Sequence, residues 1–418
     1  MLLRPAALLA SAIGAATVSD LDVRRHWVVV SLFIATLLLT ALHLIPLPFS
    51  VWSELPGRSA IVAIDATIGF GPIERPLTMS PDATLNALCS LSIPLAVLLL
   101  AIQLDEDGHR KILLLLLVLA LTSAFFGLLQ AAGSDISFYP LQTETSGLFA
   151  NRNHQAALLA MTLPIAVGAA LTGVRGGRSQ QLRALVAIAL GMFVVPLVLV
   201  TGSRAGLVLL GVGLLFSGLL WLWGRSNRPN GWSANAIVPV LFTGLIAGLF
   251  AITATAARDV AIDRLSADGE DLRWPVWQSI LEMLPAYMPW GTGIGSYAEA
   301  YQMLEPEALL RPTFSNHAHN EVLEVALTAG VPGLILLALA SLSIVVGLAR
   351  AFSANAPSST SATLGRLGLS MIVVLVIASA TDYPIRTPIM SAILVIAAVW
   401  ATMTNGPRSA MGKPQNRS

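Results

Sequence analysis

The chain has 418 residues, 55% of them hydrophobic and only 11% charged, with a mean hydropathy of +0.75 and a formal net charge of +1. A soluble domain carries about 25% charged residues; halving that share excludes an ordinary soluble enzyme and points to a multi-span membrane protein, because lipid-facing surface does not hold charge cheaply. The near-neutral balance gives no reason to expect a nucleic-acid partner, and the single cysteine, Cys89, excludes a disulfide within the chain.

Taken in order, apolar runs recur from end to end. Residues 5–18 read as a first helix rather than a cleaved signal, since no small-x-small cleavage site follows. Residues 27–45 are expected to span, and 46–84 form a Pro-containing loop. Spans follow over 85–104 and 112–130, separated by the charged turn DEDGHRK. After the polar stretch GSDISFYPLQTETSGLFANRNH come spans over 154–172, 184–200 and 205–223, the last two joined by TGSR. Residues 237–256 lead into a large polar loop and 331–348 lead out of it. A SANAPSSTSAT linker precedes the last spans, 367–380 and 388–403, which TDYPIRT joins. With about 20 residues needed per span, this predicts an all-α integral membrane protein of about eleven helices. Residues 1–418 form a single polytopic domain, with 257–320 as its large loop.

Orientation follows from lysine and arginine in alternate loops. One set, with Arg24, Arg25, Arg110, Lys111 and the basic tail, holds 14; the other holds 10, six of them in or beside the two longest loops, which carry little topological weight. The basic turns are therefore expected to be cytoplasmic, and the large loop and TGSR to face outward.

The outward side collects the unusual polar residues. From Arg258 to Gly333 the sequence holds four arginines (Arg258, Arg264, Arg273, Arg311), His317 and His319, and eleven carboxylates. Asp382 and Arg386 lie on the same side. Arg152, at the start of a span, reads either as a residue snorkelling to the headgroups or as a functional cation. Arg204 reads as the anchor of a tight turn or, being a cation on the outer side, as functional. Arg273 is a salt-bridged loop residue beside Asp271 or a ligand. GTGIGS, residues 291–296, resembles a phosphate loop but lacks the preceding strand that such a loop needs, so it reads as a turn opening a short helix over 297–304. Trp274, Trp277, Tyr287 and Trp290 are candidates to stack on sugar rings or to sit at the membrane interface.

HAHNEVLE is the sharpest cluster. As a metal site, His317 and His319 would need Glu321 or Glu324 as a third ligand, but helical metal pairs sit at i,i+4; on a helix starting near His317 the two rings diverge. Structural histidines at a helix start are a second reading. The preferred reading is a general base, since histidine titrates nearest neutral pH.

His319-Asn320, nine residues, then Gly330-Val331-Pro332-Gly333 resembles the H-[NSQ]-x9-G-x-x-G signature of the O-antigen ligase family, shared with some O-antigen polymerases and protein O-oligosaccharyltransferases. GLFANRNHQAALLAM and TGSRAGLVLL are similar to the same family, and the likeness runs over roughly residues 85–404. The resemblance implies a GT-C-like bundle of about 11–12 membrane helices in the bacterial inner membrane. Its site faces the periplasm and moves a glycan from undecaprenyl pyrophosphate to a lipid- or glycan-linked acceptor hydroxyl, with no metal or cofactor. On that reading His319 is the base. Arg204 and Arg273, with Arg152, hold the pyrophosphate through bidentate forks. Asn320, Glu324 and His317 support the base, and Gly330 and Gly333 let backbones approach closely. A ligase and a polymerase need the same groups. A transporter of lipid-linked sugar, the reading from another class, would carry ionisable residues in mid-span; here the spans are almost free of charge.

Overall fold

Leucine-, alanine- and valine-rich runs closed by proline, glycine or charge build helices along most of the described residues. The computed structural model describes residues 2–139, 145–173, 177–225, 273–310, 315–353, 357 and 359–404. Among the described residues seven helices are long and apolar enough to cross a membrane: Pro81–Ala101, Glu106–Ala131, Arg152–Thr172, Gln181–Val200, Arg204–Gly224, Glu321–Ala351 and Thr360–Ser379. Leu3–Thr17, Trp27–Leu42 and Pro388–Ala401 are shorter apolar helices. The all-α membrane class is borne out: the protein is multi-pass. The span expected over 237–256, the first part of the large loop with Arg258 and Arg264, and Arg311 lie outside the described residues.

Two helices begin well before their apolar runs, because polar residues cap them. Glu106–Ala131 starts within DEDGHRK, which is a first helical turn rather than a connecting one. The Asp105 carboxylate accepts from the Gly108 amide at 2.8 Å, and Glu106 and Asp107 complement the helix dipole. Glu321–Ala351 likewise begins at Asn320 instead of near 331. The loop over 46–84 is more ordered than its sequence suggests. Pro46–Leu47 pairs antiparallel with Arg75–Pro76, Pro46 facing Pro76, and encloses the helices Phe49–Trp52 and Ser59–Thr67.

The chain forms two compact units. The first comprises Met1–Ile102, Asp268–Ser343 and Ser379–Ala392; the second comprises Gln103–Ala267, Ile344–Ala378 and Ile393–Ser418. In the second, Arg152–Thr172 is buried on nearly every side, and its alanines let Arg204–Arg225 pack close: a Cβ on Gly206 would meet that of Ala156 at 2.7 Å. Leu159, Leu163, Val194, Val198 and Leu210 make the core of this packing. The core of the first unit is Ile280, Met283, Tyr287, Tyr297, Tyr301, Ala318 and Leu327.

The turn expected over 291–296 is present and opens Tyr297–Gln302. Gly291, Gly293 and Gly295 all have positive φ. The turn docks into a break in Glu321–Ala351. Gly330 there has φ 58° and ψ −149°, a conformation that essentially only glycine adopts. The carbonyls freed by the break are met from the turn: Thr292 and Gly293 amides donate to Leu327 and Thr328 at 2.9 and 2.8 Å, and the Val331 amide donates to Pro289 at 2.8 Å.

Candidate active site

The site segment is the short stretch before Glu321. His317 and His319 lie in a loop and not on a helix starting near His317, because Asn320 is the cap: its side-chain oxygen accepts from the amides of Val322 and Leu323 at 3.0 and 3.1 Å. His319 has φ 49°, a left-handed conformation costly for a side chain of this size. The surroundings hold it there. The carbonyl of the intervening Ala318 accepts from the Trp277 indole at 2.8 Å, and the Ala318 amide donates to Glu324 at 3.0 Å.

Each histidine has its own carboxylate. His319 Nδ1 lies 3.2 Å from Asp382 Oδ1, and the same oxygen accepts from the Tyr383 amide at 2.9 Å. His317 Nδ1 lies 3.0 Å from Glu324 Oε1. Asp382 and Glu324 are buried while both imidazoles are partly exposed. In a neutral imidazole, a carboxylate on Nδ1 favours the tautomer with the proton on that nitrogen and the lone pair on Nε2. Tyr383 packs against both rings, at 4.0 Å from His317 and 5.0 Å from His319.

Arg386 neutralises the helix start. Its guanidinium forms a fork with Glu321, 2.8 and 2.7 Å, and reaches Glu324 at 3.0 Å. Burial works against the Arg386 charge, but the two carboxylates outweigh it and raise its pKa above the ordinary value. Among the described residues no group of three or more His, Cys, Asp or Glu side chains is placed to hold a metal ion.

Within the first unit, then, the predicted His317, His319, Asn320 and Glu324 come together, and Arg273 lies on the helix whose Trp277 bonds the Ala318 carbonyl. It heads Arg273–Tyr287, one turn before Trp277 on the same face. Arg204 and Arg152 belong to the second unit. They are the first residues of paired helices whose starts are tied by a 2.7 Å bond from Ser203 to Asn153. The aromatics separate: Tyr287 is buried in the core and is removed as a sugar platform, Trp277 is bonded to Ala318, and Trp274 and Trp290 are exposed. Asp382, Tyr383 and Arg386 were given no role from sequence, and Glu321 only that of a third ligand in the metal reading. The available signal was that TDYPIRT carries an acid and a base on the side of the histidines.

The model of the O-antigen ligase family matches residues 187–338. This stretch is similar to the O-antigen ligase family. It contains Arg204, Arg273, both histidines and the whole His-Asn…Gly-x-x-Gly motif, and it is narrower than the resemblance read over 85–404. The likeness is to a family of ligase- and polymerase-type membrane glycosyltransferases. Asp382, Tyr383 and Arg386 lie beyond the matched residues, so the ligase motif and the carboxylate on its histidine come from separate parts of the chain. No curated protein matches the chain.

Proposed function

We propose that the protein is a metal-independent glycosyltransferase of the bacterial inner membrane, one polytopic domain whose 257–320 loop is periplasmic. It moves a glycan from undecaprenyl pyrophosphate to an acceptor hydroxyl on a lipid or glycan. The observation that carries this reading is the His319–Asp382 pair at the head of the ligase motif. His319 Nε2 takes the acceptor proton as the hydroxyl oxygen attacks the anomeric carbon. The bond from that carbon to the pyrophosphate oxygen breaks, and the electron pair leaves with the lipid pyrophosphate. One displacement inverts the anomeric centre. Asp382 holds the tautomer and stabilises the imidazolium that forms. Arg273 meets the charge growing on the leaving group, a task for which arginine forks suit phosphate oxygens. Arg204 and Arg152 are assigned to pyrophosphate binding on that chemistry alone. Asn320, Glu324 and His317 support the base through the cap and the loop.

The test is transfer by purified protein in detergent with an undecaprenyl-pyrophosphate glycan as the sole sugar lipid. Longer lipid-linked glycans identify a polymerase; product only after lipopolysaccharide core or an acceptor protein is added identifies a ligase. EDTA is expected to leave either rate unchanged, and loss restored by a divalent ion would return the histidines to a metal role. No product from folded protein under any combination would sink the enzyme reading in favour of a transporter.

A further inference from the structure

The segment between the second and third apolar helices has its polarity turned inside out. Ser59–Thr67 buries its one acid: Asp65 is 6% exposed and forks with Arg75 at 3.0 and 2.7 Å. Arg58, just before the helix, is 1% exposed and donates to the carbonyls of Pro56, Leu77 and Gly291. The helix and the residues that follow it show Ile64, Ile68 and Phe70, exposed by 58, 59 and 57%. A water-facing helix outside the spans does the reverse, and monomers rarely leave such apolar patches without a partner.

What covers this face is decided by what it continues. The segment starts where Trp27–Leu42 ends and finishes where Pro81–Ala101 begins, and the pairing of Pro46–Leu47 with Arg75–Pro76 draws its two ends together there. Trp27–Leu42 is an apolar helix with Ile34, Leu38 and Leu42 exposed at i,i+4 spacing, and exposed apolar residues go on through Ile45 and Val51. We propose that residues 59–73 are an interfacial anchor, laid in the surface of the bilayer with Ile64, Ile68 and Phe70 among the acyl chains. Because Arg58 bonds the Gly291 carbonyl, the anchor also holds the turn that docks at Gly330, and through it the helix capped by Asn320. The proposal does not depend on the transferase reading.

The test uses the full chain in vesicles of phosphatidylethanolamine and phosphatidylglycerol. Nitroxide is placed singly at Ile64→Cys, Ile68→Cys or Phe70→Cys in a Cys89→Ser background, with Glu54→Cys as the exposed polar control. All four positions are exposed, so the labels disturb no packing. Power saturation is expected to give the three apolar sites high accessibility to oxygen and low accessibility to a nickel chelate, and the control the opposite. Nickel accessibility at all three equal to the control overturns the anchor. Dipolar broadening between labels assigns the face to a second copy of the chain, and shielding that appears only with an added undecaprenyl lipid assigns it to a substrate tail; either also overturns it.

Discussion

The imidazole of His319 is informative because of what holds it. A histidine in a left-handed loop conformation is strained, and this one is kept in place by bonds on the neighbouring Ala318 peptide and by Asp382 on its ring. Strain so fully supported by its surroundings suits a group whose direction matters. Replacing His319 by Ala should lower transfer by roughly 10²–10⁴-fold, the range for a general base, with membrane insertion intact. Asp382→Asn makes a sharper demand. Its amide would donate to Nδ1 and move the proton to Nε2, the wrong tautomer for a base. We expect kcat to fall by about 10²-fold with KM nearly unchanged, and the pH–rate profile to shift. A variant that kept its kcat would leave Asp382 a packing residue. Arg386 works differently: Arg386→Gln strands the buried Glu321 and Glu324 together, and should cost about 3 kcal/mol in a thermal melt of the detergent-solubilised protein.

At the scale of elements, the helix carrying Glu324 depends on its interruption. Gly330 lets the chain break, and residues 289–293 fill the gap with three backbone hydrogen bonds. Gly330→Ala must place a Cβ against the Pro289 carbonyl in a backbone region closed to alanine. It should cost at least about 2 kcal/mol and reduce transfer, since the capped helix start is fixed from the same docking. Gly71→Ala is the control, with negative φ and open space around its Cβ; equal melting of the two variants would show that the break is incidental. The sequence made the spans legible because lipid tolerates little but apolar side chains there. It made His319, Asn320 and the two glycines legible through their fixed spacing. The start of Glu321–Ala351 was hidden because Asn320 and two glutamates look like loop until the cap and the Arg386 fork are seen. Asp382 was hidden for a different reason: no local pattern records that a turn between the last two helices returns to residue 319.

For the whole molecule, the sparse charge is itself a topological signal. Lysine and arginine favour one set of loops by 14 to 10, and the excess is concentrated in short turns, where retention on the cytoplasmic side is strongest. Two exposed positions in the first unit sort to opposite faces on this rule: Leu21 lies beside Arg24 and Arg25, and Leu310 lies in the large loop. In a Cys89→Ser background, needed because Cys89 is exposed, Leu310→Cys should react with a membrane-impermeant maleimide in intact cells whose outer membrane has been opened. Leu21→Cys should react only after the inner membrane is broken. The reverse pattern would put His319 and its carboxylate on the cytoplasmic side. A lipid-linked glycan presented at the outer surface would then be out of reach, and the transferase reading would lose its substrate while the fold and the likeness to the ligase family stood unchanged.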